Sequence, residues 1–286
     1  LHDAFLAVVE RLASRGVTPI LTTGGRGVTP ELARAMKNAG LARVSVSIDG
    51  LEATHDAMRS QRGSFGRALA ALAACREAGL RINANTNLNR FNQGDLEALF
   101  EVLREYEVRG WQIQLTTPLG RAADRVDMIL QPWDLLELIP RVAAIKERAW
   151  TAGMFVFPGN NLGYFGPEEG SLRAPAPGRP EHFQGCQAGR FVLGIESDGA
   201  VKGCPSLQTR HYVGGHLRDQ SLTEIWDHAP ELAFARARTL DDLWGFCRSC
   251  AFAETCLGGC TFTAHALLGR PGNNPYCHYR ARDFAK

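Results

Sequence analysis

Seven of the eight cysteines fall in the last 101 residues, and their spacing is the strongest chemical signal in the chain. Cys186 is followed after twelve residues by Gly199 and after four more by Cys204. Then come Cys247-x2-Cys250-x5-Cys256-x3-Cys260 and, after sixteen further residues, Cys277. A Cys-x2-Cys pair lets two thiolates reach one metal or one face of a cluster, and thiolates suit zinc and iron–sulfur clusters alike. Seven thiolates fill one four-cysteine zinc site and leave three, so a second zinc would need a histidine such as His278 or His182. The odd count and the lack of a secretory signal weigh against disulfides and point to a reducing compartment. The eighth cysteine, Cys75, shares helical spacing with Leu69 and Leu72 and reads as a buried structural residue. His211, His216, His228 and His265 have no ligand spacing.

The elements that must carry these residues divide into two kinds. Upstream of the cysteines the chain alternates strand and helix. A helix over 3–15 ends at Gly16, and a strand over 17–23 follows. Thr29-Pro30-Glu31 caps and opens a helix that stops at Gly40. Strands at 43–48, 81–88 and 111–116 then alternate with helices at 65–78, 94–109 and 133–152. Such alternation with short links implies parallel strands with right-handed crossovers. Within the strands the faces split cleanly. Val44, Val46 and Ile48 oppose Ser45, Ser47 and Asp49. Ile82, Ala84, Thr86 and Leu88 oppose Asn83, Asn85 and Asn87, and Trp111, Ile113 and Leu115 oppose Gln112, Gln114 and Thr116. Half-exposed antiparallel strands would show the same pattern. If helices cover the apolar faces, the polar faces line a wide, wet interior that holds a ligand, since burying so many amides without partners would be costly. From Gly153 to Gly185 five prolines and many glycines predict an irregular bridge. Ser221-Leu-Thr-Glu-Ile-Trp226 reads as a capped helix start, with Ser221 or Thr223 as the cap.

Composition removes several partner classes. With 32 Lys+Arg against 30 Asp+Glu the net charge is +2, so no charge excess drives binding to nucleic acid or an acidic membrane. No apolar run reaches the roughly 18 residues of a membrane helix. Hydrophobic content of 45% is globular.

The barrel-half motifs resemble a known family. Leu21-Thr22-Thr23-Gly24-Gly25, Ser45-Val-Ser-Ile-Asp-Gly50, His55-Asp56-x2-Arg59 with Gly63-Ser64-Phe65, and Pro118-Leu-Gly-Arg-Ala122 resemble the later strands of radical S-adenosylmethionine (radical SAM) enzymes. The cysteine spacing resembles the SPASM domain, the auxiliary iron–sulfur module of radical enzymes that modify peptides and proteins. The resemblance implies an α/β fold in which a partial (β/α)6 radical SAM barrel (1–152) is joined by an irregular bridge (153–180) to a small cysteine-rich SPASM domain (181–286). It places Leu1 just after a Gly-Gly-Glu segment, so the 286 residues read as a C-terminal portion. The Cys-x3-Cys-x2-Cys loop of the radical cluster is not among them, and without it no cofactor cleavage is expected. The family's Thr-Asn-Gly stands here as Thr23-Gly24-Gly25, without the Asn side chain.

Two auxiliary [4Fe-4S] clusters are implied, with a third, radical cluster expected only in full-length protein. Cys247, Cys250, Cys256 and Cys277 would hold the distal auxiliary cluster, and Cys186, Cys204 and Cys260 the proximal one, whose fourth iron is left open. Glu196 and Asp198 are non-cysteine candidates there, although hard carboxylates match cluster iron poorly. S-adenosylmethionine would meet Ser47, Asp49, Arg59 and Asn85, with the backbone of Leu119 and Gly120 at its adenine. From the residues alone, Asp49-Gly50 reads equally as a turn, and Arg59 equally as a surface charge. The implied activity is modification of a peptide or protein side chain through a 5′-deoxyadenosyl radical. The implied partners are a ribosomally made peptide or protein and a flavodoxin- or ferredoxin-type reductant in the cytoplasm. The competing class is a non-catalytic iron–sulfur or zinc module for peptide recognition or electron transfer.

Overall fold

The structure, a computed structural model, describes residues 2–207 and 210–286; Leu1, read above as the point where the chain joins the family pattern, lies outside them. The chain divides into two compact units: 1–116 with 126–130 and 140–159, and 117–125 with 131–139 and 160–286.

The first unit is built on a five-stranded sheet with strands in sequence order. Its elements are α1 (Phe5–Ser14), β1 (Ile20–Thr23), α2 (Pro30–Asn38), β2 (Arg43–Ser47), α3 (Glu52–Arg59), α4 (Ser64–Glu77), β3 (Arg81–Leu88), α5 (Leu96–Glu105), β4 (Gly110–Leu115), most of α6 (Leu135–Thr151) and β5 (Phe155–Pro158). All four strand pairs are parallel. The expected faces are realised. Val44, Val46, Ile48, Ile82, Ala84, Leu88, Trp111, Ile113 and Leu115 are buried, while Ser47, Asn85, Asn87, Gln112 and Gln114 remain half-buried. Thr86 is the polar residue on the apolar face. Its hydroxyl donates to Ile48 O at 2.6 Å and accepts from Trp111 Nε1 at 2.8 Å, so neither buried polar group is left unpaired.

Local chemistry explains the boundaries. Thr29 Oγ1 accepts from Leu32 N–H and caps α2 as expected. Gly25 has φ +83°, and a Cβ there would meet Ala68 Cα of α4 at 3.0 Å, so only glycine allows that approach. Cys75 is fully buried on α4, and burial pushes its thiol up to about 11. Two elements depart from expectation. Helix α3 was not foreseen because its single buried residue is His55, which leaves no apolar periodicity to read. The segment expected to start an irregular bridge at 153 instead supplies β5, whose Phe155–Pro158 pairs with Gly110–Ile113. Pro158 ends a strand at the sheet edge, where its missing N–H removes no ladder bond.

The second unit has short elements only: α7 (Glu169–Arg173), an antiparallel sheet of β6 (Gly194–Ile195), β7 (Ala200–Lys202) and β8 (Val213–His216), then α8 (Leu222–His228), α9 (Ala253–Cys256), α10 (Thr261–Leu268) and α11 (His278–Phe284). Ser221 caps α8 in a reciprocal capping box with Glu224. No helix among the described residues is long and apolar enough to cross a membrane.

Candidate cofactor and cluster sites

On the first unit's sheet, register aligns Ser47 with Asn85 and Asn85 with Gln112, so three half-buried polar side chains form a row across β2, β3 and β4. Asp49, just beyond β2, is buried and engaged. Its carboxylate accepts from Asn87 N–H at 3.0 Å and pairs with Arg59 Nη2 at 2.5 Å. Its N–H donates to His55 Nδ1, and its C=O accepts from Asn92 Nδ2. Burial holds His55 below its ordinary value, in keeping with a neutral ring that accepts at Nδ1.

The His55-Asp56-x2-Arg59 motif therefore fastens the loop after β2. Asp56 completes the arrangement by accepting from Gly63 N–H, Ser64 Oγ and Phe65 N–H at the start of α4. These bonds hold its carboxyl below the usual range. Arg59 is thus the partner of Asp49 and not a loose surface charge. Asn92 was overlooked, since a lone Asn in a loop carries no periodic or motif signal. Leu119 and Gly120 open the 3-10 turn Gly120–Asp124, which clusters with the second unit.

In the second unit the seven cysteines are free thiols in two groups. Cys186, Cys204 and Cys260 interact electrostatically with one another. Burial is the main cause that pushes Cys204 up and Cys260 to about 11, with Cys186 adding to both. Around them lie hydroxyls and a cation. Thr261 Oγ1 donates to Cys186 Sγ at 3.4 Å. Thr263 offers its buried hydroxyl and its N–H to Cys260. Glu196 and Asp198 are not among these neighbours: Glu196 pairs with Lys202, and Asp198 Oδ1 accepts from Ala200 N–H in the turn around Gly199.

Cys247, Cys250, Cys256 and Cys277 line a single cavity with Tyr164, Phe165, Phe246, Phe252 and Tyr279. Burial pushes Cys277 to about 12, raises Cys256 further and raises Cys247, with neighbouring thiols contributing to each. Backbone N–H groups face the sulfurs, Phe252 N at 3.4 Å from Cys250 Sγ and Arg280 N at 3.5 Å from Cys277 Sγ. Gly258 has φ +77°, and its Cβ would fall 2.8 Å from the Gly272 backbone, so glycine lets two cavity-forming loops touch. Asn274, buried on the same cavity, has an Nδ2 with no partner. Hydroxyl and amide donors beside the thiols of both sets, the Asn274 amide among them unpartnered, fit an anionic, sulfur-rich occupant. The histidines that a second zinc would need lie elsewhere. His278 Nδ1 faces Glu168 Oε2 at 3.4 Å, and His182 is exposed beside Gln184.

Residues 1–103 match the radical SAM superfamily and residues 186–251 the SPASM iron–sulfur cluster-binding domain, together more than half of the chain. The chain carries the radical SAM family match in its first part and the SPASM match in its cysteine-rich part. It is 28% identical over 284 residues to an AdoMet-dependent heme synthase of Nitratidesulfovibrio vulgaris, covering 96% of this chain and 75% of that one. It is 29% identical over 283 residues to the mycofactocin maturase MftC of Mycobacterium ulcerans, covering 96% and 70%. The solved structure of anSMEcpe with bound AdoMet and Cp18Cys peptide shares the fold, with a TM-score of 0.71, 17% identity and coverage of 98% and 79%.

Proposed function

We propose that this radical SAM–SPASM chain serves the modification of a peptide or protein side chain, with Cys186, Cys204 and Cys260 holding one auxiliary [4Fe-4S] cluster and Cys247, Cys250, Cys256 and Cys277 the other. The observation that supports this reading is seven buried or half-buried free thiols in the second unit, with hydroxyl and amide donors beside them. Bound S-adenosylmethionine supplies, on reductive cleavage, a carbon radical that removes a hydrogen atom from the substrate. In this proposal Ser47 and Asn85 offer hydroxyl and amide partners to the cofactor's ribose. Asp49 is positioned there by Arg59, His55 and Asn87, and the Leu119–Gly120 backbone meets the adenine. The half-buried polar row keeps that surface hydrated and hydrogen-bonding, as a polar cofactor requires. A flavodoxin- or ferredoxin-type reductant in the cytoplasm completes the proposal, as does the division into a barrel, a bridge and a SPASM domain near residues 152 and 180.

The peptide reading draws on the maturase relative and on the peptide bound in the solved neighbour. A second reading, a tetrapyrrole substrate, draws on the heme synthase relative. Anaerobic loading of the chain with iron and sulfide tests the cluster assignment: about eight irons per chain are expected, and zinc with little iron would overturn it. Substrate-dependent release of 5′-deoxyadenosine by the reduced full-length protein, with peptide in one arm and an iron porphyrin carboxylate in the other, separates the two substrate classes.

A further inference from the structure

Arg238 is 8% exposed, and among the described residues no carboxylate lies within ion-pair distance of it. Buried charges are normally paired, because an isolated one loses far more hydration than a few neutral contacts return. The guanidinium is nonetheless held firmly. Nη2 donates to Thr261 Oγ1 at 3.0 Å, and Nη1 is 3.4 Å from Leu257 O. Thr261 Oγ1 passes its own hydrogen on to Cys186 Sγ at 3.4 Å. Cys186, Tyr212, the more distant Asp242 carboxylate and Cys260 all interact electrostatically with the guanidinium, Cys186 most strongly. The cation is therefore tied, through one hydroxyl, to the three-thiol group.

The four-thiol group has a less buried cation beside it. Its cavity is walled by aromatic rings and backbone. The nearby Arg280 is half-buried, lies over Phe246 and Phe284, and donates to Asn273 Oδ1. It interacts electrostatically with Cys247, but its charge is shared with solvent, unlike that of the buried Arg238.

We infer that Arg238, aligned by Thr261, is the counter-ion of the cluster at Cys186, Cys204 and Cys260, and that it raises that cluster's reduction potential above that of the cluster at Cys247, Cys250, Cys256 and Cys277. The inference rests on the cluster assignment proposed above. Adding an electron makes a thiolate-ligated cluster more negative, so a fixed buried cation and a hydrogen bond to a ligand sulfur favour the reduced form. Arg238 is a positioning residue in this role, acting on the cluster through charge and through the Thr261 hydroxyl.

The test is a dithionite titration of the anaerobically loaded chain, followed by paramagnetic resonance. Two one-electron transitions are expected, and Cys256→Ala should remove the one at lower potential. Arg238→Gln should shift the higher transition downward and leave the lower one in place. Arg238→Lys should restore part of the shift, because the charge returns without the planar fork. Thr261→Val, which keeps the arginine, should give a smaller downward shift and covers the case in which Arg238→Gln does not fold. An unchanged higher transition in both Arg238→Gln and Thr261→Val, with iron content intact, would overturn the inference alone. Absence of cluster signals in the unaltered chain would overturn the cluster assignment and the inference with it.

Discussion

The two units solve the problem of burial in opposite ways. The first encloses parallel strands whose Val, Ile, Leu and Trp side chains fill a continuous core, with the buried Thr86 hydroxyl and Trp111 indole paired to each other. The second has strands of two to four residues and helices of four to eight. Its small apolar clusters are joined by seven buried or half-buried thiols. Elements that short cannot bury enough apolar surface to offset the entropy of ordering them. A metal cluster supplies the missing cross-links, and its binding energy becomes folding energy.

The largest expected effect follows directly. Stripping iron from the loaded chain should expose residues 160–286 to proteolysis while the sheet of the first unit stays resistant. Mass spectrometry of the fragments checks it. Equal protection of both units after iron removal would break the comparison. Within the second unit the two thiol groups should behave independently. Cys256→Ala or Cys204→Ala should each remove about half of the iron, roughly four atoms, and the double variant should remove nearly all of it. Loss of all iron from either single variant would mean one coupled site.

Cys75 provides a control from the first unit. Its thiol is pushed up to about 11 by burial, so at pH 8 it is protonated as well as inaccessible. Alkylation of the iron-free chain at pH 8 should label up to seven cysteines and spare this one. A folded value above the ordinary 9.0 favours the native state below pH 9, and that contribution is lost as the pH rises through about 11. Labelling at Cys75 should therefore emerge only in strongly alkaline buffer. A smaller effect tests the claim that the first unit is closed by satisfied packing. Thr86→Val removes the partner of Trp111 Nε1 and should lower the stability of that unit by about 2 kcal/mol, the cost of a buried donor left unpaired. Urea unfolding followed by tryptophan fluorescence reads it.

How far these features were legible in sequence tracks the same contrast. Period-2 alternation in β2, β3 and β4 declared the sheet and its polar face because long strands repeat their pattern enough to be read. The cysteine spacing declared thiol ligands through a family resemblance, and the structure keeps all seven as free, buried or half-buried thiols of the second unit. What stayed hidden was short or unpatterned: α3 with one buried residue, β5 with four residues ended by proline, and a three-stranded sheet whose first strand is two residues long. Arg238 was hidden for another reason. A single arginine in a loop looks solvated until the fold shows it buried beside thiols.

The smallest predicted effect concerns the polar row of the sheet, and it separates binding from folding. Ser47 and Asp49 lie two residues apart, yet their surroundings differ. Asp49 is buried and already has an N–H and a guanidinium as partners, so its replacement would first damage the loop after β2. Ser47 is half-buried in line with Asn85. Its hydroxyl is free to serve a ligand without a structural debt. Ser47→Ala should therefore leave the unfolding midpoint unchanged and weaken S-adenosylmethionine binding by about 1 kcal/mol, roughly fivefold, the net worth of one hydrogen bond. Calorimetric titration of the loaded, reduced enzyme measures the affinity. A lower unfolding midpoint with unchanged affinity would move Ser47 from the cofactor surface to the scaffold, and the row across β2, β3 and β4 would lose its proposed ligand.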